Sequence, residues 1–234
     1  MKLLLISNST MPGEPYFSYP QPYIKEFLGD EPRHIVFIPF AGVSMTFDEY
    51  EQKVKKSVVA SGHQLKSIHR YDNFRKAILE AEVIMVGGGN TWHLTRLLHE
   101  NDLIDAVRKR VIEDGVPYIG WSAGSNVACP TLKTTNDMPI VDPLGFDTFN
   151  LVPFQINAHY TDLTVQGHGG ETREMRLDEF VIANPDTYVL GLREGSMIWV
   201  EDGKYTLRGH EQPCKVFKHG EETKEYNDLS ELNF

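Results

Sequence analysis

A chain of 234 residues with 41% hydrophobic and 24% charged residues has the apolar content for a packed core, which excludes disorder over most of its length. Its formal net charge of -10 argues against nucleic acid or an anionic membrane as a partner, because both need a basic face. Two cysteines, Cys129 and Cys214, are too few for a disulfide framework or a zinc site, and no stretch approaches the roughly 18 apolar residues of a membrane span.

The opening "MKLLLISNST" has a short apolar run that soon meets "NSTMPGEP", so it reads as a first strand and not a signal peptide; a cytoplasmic location is expected. "PQPYIKEFL" predicts a short helix and "HIVFIPF" a second strand. Phe47, Tyr50, Val54 and Val58 fall on one face of a helix spanning 47–60. "QLKSIHR" predicts a third strand, with a helix following over 73–80. "EVIMVGGGN" is a strand ending in glycines, "TWHLTRLLHE" and "LIDAVRKRVIED" are helical, and "VPYIGW" is the next strand. Mostly apolar strands alternating with helices predict a parallel sheet with helices on both faces, whose ligands bind at the carboxyl ends of the strands. "PFAG", "GGGNT" and "GWSAGSN" all fall at that edge. Beyond it come a turn-rich loop "TTNDMPIVDPLGFD", a strand in "LVPFQINAHYTD", a helix in "GETREMRLDEFVIA", and strands from "YVLGL" to "CKVFKHG" with hairpin turns at "EDGK" and "HGEE". With no linker visible, residues 1–234 are read as one domain.

Ser122 in "GWSAG" fits the pattern G-x-S-x-G, in which a sharp strand-to-helix turn exposes a nucleophile and small neighbours avoid collision. The bland reading is a helix N-cap; the preceding strand and the small residues after it favour the nucleophile. The N–H groups of Gly88, Gly89 and Ala123 are candidates for an oxyanion hole. Asn90 is a candidate for substrate contact or for the N-cap of the next helix. A dinucleotide fingerprint is rejected, since the position that needs glycine holds Trp92. Among nine histidines, His159 ranks first as the base, because it follows a strand end and lies after the serine. His93 and His99 sit on a helix, His34, His63 and His69 flank strands, His168 lies in a loop, and His210 and His219 belong to the terminal strands. For the acid, Asp137, Asp142, Asp147 and Glu194 remain open, since triads recur in unrelated chain orders. Arg173 and Arg176 have the planar fork that suits a carboxylate, although a solvated helix face is the commoner role.

Taken together, "LLLISNSTMPG", "FIPFAGV", "VGGGNTW", "YIGWSAGSN", "ACPTLKTTNDMPIVDP", "QINAHYTD", "GHGGETRE" and "GLREGS" resemble the peptidase E family of cytosolic aspartyl dipeptidases, over nearly the whole chain. The resemblance implies a flavodoxin-like fold similar to the class I glutamine amidotransferase domain, mostly parallel with a C-terminal antiparallel portion. It implies hydrolysis of dipeptides after an N-terminal aspartate without metal or organic cofactor. Separately, a monomer or homodimer acting on small-molecule dipeptides is expected. The family's serine falls on Ser122, its histidine on His159 and its acid on Glu194; Asp137 is kept as a second acid, for orienting the base or holding the substrate amine. Its substrate-carboxylate arginine falls on Arg173. Other readings are a related peptidase of the same fold acting on isoaspartyl linkages, as cyanophycinase-like enzymes do, and a non-catalytic domain binding a small anion. A glutamine amidotransferase is disfavoured, because the elbow carries serine where that chemistry uses cysteine.

Overall fold

The computed structural model describes residues 1–234 apart from Ala60, Ser61, Val165, Gln166, His168, Glu211 and Asn233. The apolar runs become strands β1 (Lys2–Ile6), β2 (His34–Ile38), β3 (Gln64–Ser67), β4 (Val83–Val86) and β5 (Tyr118–Trp121). Neighbouring members of this set pair in parallel. Two later strands, β8 (Ser196–Glu201) and β9 (Lys204–Gly209), extend the sheet antiparallel past β1. The order is β3-β2-β4-β5-β1-β8-β9.

The side-chain period of two explains why these strands are apolar throughout. Leu3 and Leu5 enter one hydrophobic cluster, and Leu4 and Ile6 enter the cluster on the opposite face. Helices α1 (Gln21–Leu28) and α2 (Phe47–Val59) cover the second face through Phe27, Tyr50, Val54 and Val58. Helices α3 (Phe74–Leu79), α4 (Thr91–Glu100) and α5 (Ile104–Arg108) cover the first. Phe47 parts company with the rest of its predicted helical face and packs against the first cluster, beside Phe40.

The terminal strands divide between two sheets. β6 (Gln155–Tyr160) and β7 (Val189–Arg193) run parallel and, with β10 (Cys214–Phe217) and β11 (Lys224–Tyr226), form a second sheet in the order β11-β10-β7-β6. Ile156, Ala158, Leu190 and Leu192 join this sheet to the first hydrophobic cluster. The predicted third strand stops at Ser67; Ile68 is buried, and the chain turns through a 3-10 segment, Ile68–Arg70, that sends His69 and Arg70 toward Asp48 on α2. The predicted helix after Leu103 continues past α5 as a π turn, Lys109–Glu113. Helices α6 (Ala123–Asn126) and α7 (Arg173–Ala183) complete the set, and no helix among the described residues is long and apolar enough to cross a membrane.

Candidate active site

Ser122 links β5 to α6 with φ 52 and ψ −113, in the left-handed half of backbone space. Holding a non-glycine residue there costs on the order of 1–3 kcal/mol, so the surroundings must enforce it. Its N–H donates to the Ile6 carbonyl at 3.0 Å, and its own carbonyl accepts from Ser125 and Asn126 at 2.9 and 3.0 Å. The glycine after it is obligatory: a Cβ on Gly124 would stand 2.1 Å from the Val86 carbonyl oxygen. Ser122 thus occupies the N-cap position, but its hydroxyl makes no capping bond and is left for other partners. The helix expected after the elbow is only one turn of 4 residues, so developing negative charge there is met by individual N–H groups more than by a macrodipole.

Those groups are in place. Among the described residues, the N–H groups of Gly88, Gly89 and Ala123 donate to no protein acceptor. A Cβ on Gly88 would approach the Ser122 Cβ to 3.0 Å, so the glycine turn after β4 lies against the elbow. Tyr50, buried on α2, donates its hydroxyl to the Gly88 carbonyl at 2.8 Å. A trans peptide points its N–H opposite to its C=O, so this bond turns the Gly89 N–H away from Tyr50.

His159 lies on β6 at a shift of the register with β7, between Ala158 and Tyr160, and takes φ 54. This bulge turns the imidazole out of the strand's alternation. Its Nε2 is 3.0 Å from the Ser122 Oγ, and its Nδ1 is 2.6 Å from Glu194 Oε1. With the proton on Nδ1 donated to the carboxylate, Nε2 faces the serine hydroxyl as an acceptor.

Residues that sequence reasoning missed brace this arrangement. Ser7, fully buried just past β1, accepts the His159 N–H at 2.9 Å and donates to the Leu192 carbonyl at 2.8 Å. Asn8 accepts from the Gly195 N–H at 2.8 Å and from the Tyr19 hydroxyl at 2.7 Å, fixing the turn that carries Glu194. The available signal was "SN" directly after a buried strand, where small polar residues can satisfy neighbouring backbone.

Asp137 makes no hydrogen bond to His159. Its Oδ2 accepts from the Thr91 N–H and hydroxyl at 2.7 and 2.6 Å and from Thr135 at 3.0 Å, which places it at the start of α4. It nonetheless lines the same cavity of about 560 Å³ as Ser122, His159, Gly88, Gly89 and Asn90. The Asn90 side chain is committed to the fold: it caps α4 by accepting from His93 N–H at 3.0 Å and donates to the Met138 carbonyl at 2.9 Å. This favours the N-cap role over the expected substrate contact.

Arg173 begins α7 and is tied through Asn157 to the 134–137 loop, which brings Asp137 to the cavity. It donates to Asn157 Oδ1 at 3.3 Å, and Asn157 in turn donates to Thr134 O and Asn136 Oδ1 at 2.8 and 2.7 Å. No carboxylate pairs with it among the described residues. Burial draws its pKa below the usual arginine value, and the neighbouring Arg176 adds to the effect. Asp142 and Asp147 make no contact with the histidine. His168 lies outside the described residues.

Cys129 lies past α6 with its thiol fully buried, and burial pushes its pKa well up; Cys214 is raised to about 12 for the same reason. Neither is poised as a thiolate. Among the described residues, Asp48, Glu51 and His69 bring three potential metal ligands together, but the Arg70 guanidinium already contacts both carboxylates, Asp48 at 2.8 Å.

Comparison with known proteins places the chain in a family. Residues 3–208 match peptidase family S51. The chain is 50% identical over 233 residues to Peptidase E of Nostoc sp., covering 100% of this chain and 96% of that one. It is 48% identical over 222 residues to Peptidase E of Salmonella typhimurium, covering 95% and 96% of the two chains. The fold is similar to the crystal structure of a peptidase from an acI-B1 Actinobacterium, with TM-score 0.68 at 15% identity over 97% of this chain and 94% of that one. The chain therefore belongs to peptidase family S51, whose members are serine-type peptidases.

Proposed function

We propose that this peptidase is a dipeptidase that cleaves after an N-terminal aspartate, using Ser122, His159 and Glu194 as a triad. The contact that carries the reading is Ser122 Oγ to His159 Nε2 at 3.0 Å, with Glu194 on the far imidazole nitrogen at 2.6 Å. His159 Nε2 accepts the hydroxyl proton as Oγ attacks the scissile carbonyl. Glu194 holds the tautomer and stabilises the imidazolium. The tetrahedral oxyanion is received by N–H groups of Ala123 and the Gly88–Gly89 turn. The C–N bond then breaks, His159 gives its proton to the leaving amine, and water resolves the ester on Ser122 by the same route.

For the acyl-side residue, Arg173 is the candidate partner of the aspartate β-carboxylate: it is half-buried and has no acidic partner among the described residues. Asp137, with no hydrogen bond to its Oδ1 among the described residues, is the candidate partner of the free amine. The likeness to proteins named Peptidase E supports the class of reaction. A panel of α-Asp, β-Asp, Glu and Asn dipeptides tests the substrate. Turnover confined to α-Asp is expected; preference for β-Asp would move the reading to isoaspartyl linkages. Ser122→Ala should lose activity by roughly 10⁴-fold or more. Arg173→Ala should lower kcat/KM for Asp-Leu by about tenfold or more while affecting Asn-Leu little. Equal losses on both would reject Arg173 as the side-chain reader.

A further inference from the structure

Peptidases that stop at dipeptides face a second recognition problem: the leaving residue carries a free carboxylate one Cα beyond the scissile nitrogen. We propose that Lys53 of α2 binds that carboxylate, so that the α2 side of the cavity is the subsite for the leaving residue. The inference rests on the dipeptidase reading above and specifies its substrate further.

The sheet edge sets the directions. Along it, Gly88 and Gly89 follow β4, Ser122 follows β5, and Ser7, which holds His159, follows β1; these strands are neighbours in that order. The oxyanion groups and the base therefore flank the serine along the edge, and the substrate backbone must cross from one face of the sheet to the other. Asp137 approaches from the face of α4, through its bonds to Thr91, and α4 packs into the first hydrophobic cluster. Lys53 approaches from the face of α2, whose Tyr50, Val54 and Val58 belong to the opposite cluster. A dipeptide with its amine at Asp137 thus directs its carboxylate toward Lys53.

The chemistry of that end fits. Lys53 is the only lysine or arginine lining the cavity among the described residues. No carboxylate pairs with it there, and its ammonium sits 4.1 Å from the centroid of the Tyr16 ring. The aromatic face holds the ammonium in place without neutralising it. Ser9 and Tyr16 share the wall. Val43 and Met45 offer apolar surface for the leaving side chain. An ammonium suits this position, because a product carboxylate must also leave.

The test compares Asp-Leu with Asp-Leu-amide, which differ only in that carboxylate, alongside Asp-p-nitroanilide and Asn-Leu. Wild type should prefer the free acid over the amide by about tenfold in kcat/KM. In Lys53→Met the ratio should fall toward one, chiefly through KM for Asp-Leu, and Lys53→Arg should restore it. A wild type indifferent to the amide, or a Lys53→Met that keeps the preference, overturns the proposal. If Lys53→Met instead loses discrimination between Asp-Leu and Asn-Leu, Lys53 reads the aspartate side chain and the proposal also falls. Failure of wild type to cleave any Asp substrate, the anilide included, would remove the dipeptidase reading itself.

Discussion

Among the described residues, serine, histidine and carboxylate line up at Ser122 and again at Ser67, and the two arrangements differ in what surrounds them. At the end of β3, the Ser67 hydroxyl lies 2.7 Å from His69 Nδ1, and His69 Nε2 lies 2.7 Å from Asp48. The corresponding distances among Ser122, His159 and Glu194 are 3.0 and 2.6 Å. Everything around them differs. Ser67 is fully buried in extended backbone, φ −71 and ψ 143, whereas Ser122 is turned into the left-handed region and faces a cavity. The N–H of each serine is committed, to Glu51 for Ser67 and to Ile6 for Ser122, but beside Ser122 the N–H groups of Gly88, Gly89 and Ala123 donate to no protein acceptor among the described residues. Arg70 neutralises Asp48, so the acid that would support His69 is taken by a fixed cation. Three aligned side chains are thus a structural tie in one place and the proposed reaction centre in the other; an open face and uncommitted backbone donors make the difference.

The sharpest way to break this comparison is to remove the acid from the open arrangement. Glu194→Gln should lower kcat by about 10²- to 10⁴-fold, because the amide disfavours the required tautomer and cannot stabilise the imidazolium. Full activity would mean that His159 draws no support from Glu194. Tyr50→Phe comes next: it leaves the ring against the glycine turn but frees the Gly88 carbonyl, and a fall of about tenfold in kcat with KM little changed is expected. A change confined to KM would detach Tyr50 from the oxyanion turn. The smallest effect belongs to the closed arrangement. Ser67→Ala should leave dipeptide turnover within about twofold and reduce stability by about 1–2 kcal/mol, read from urea unfolding. A large loss of activity in a folded Ser67→Ala protein would undo the distinction.

A pH series sharpens the same contrast. The hydrogen bond from His69, and then the charge of Arg70, hold the Asp48 carboxyl below its ordinary value of 3.8. A depressed carboxylate stabilises the fold above its unfolded pKa, and the contribution is lost as pH falls through the folded value. The urea midpoints of wild type and Asp48→Asn should therefore differ at neutral pH and converge below pH 3.8.

The parallel part of the fold was legible because its strands are buried on both faces and read as continuous apolar runs, as in "KLLLI". The split of the terminal strands between two sheets was not, since local alternation does not name a partner: β8 and β10 look alike, yet one joins β1 and the other β7. Ser122 was legible because its small neighbours answer to local collisions. His159 was favoured only modestly by residue pattern, because its bulge depends on pairing with β7 and on Ser7. Spacing could not separate Glu194 from the aspartates, because what selects it is a turn held by Asn8, far away in sequence. The Ser67–His69–Asp48 tie left no sequence signal, since its members come from different elements and follow no spacing rule.

The bond between Ser7 and His159 spans 152 residues, and the one between Asn8 and Gly195 spans 187. During synthesis the serine elbow emerges before its base, and the base before the acid. A nascent or truncated chain ending before β7 therefore carries Ser122 without Glu194, the acid of the proposed triad. On the proposed triad, peptide hydrolysis begins only once the end of β1 has met β6 and the turn after β7, so the appearance of activity during refolding reports closure of these long-range contacts.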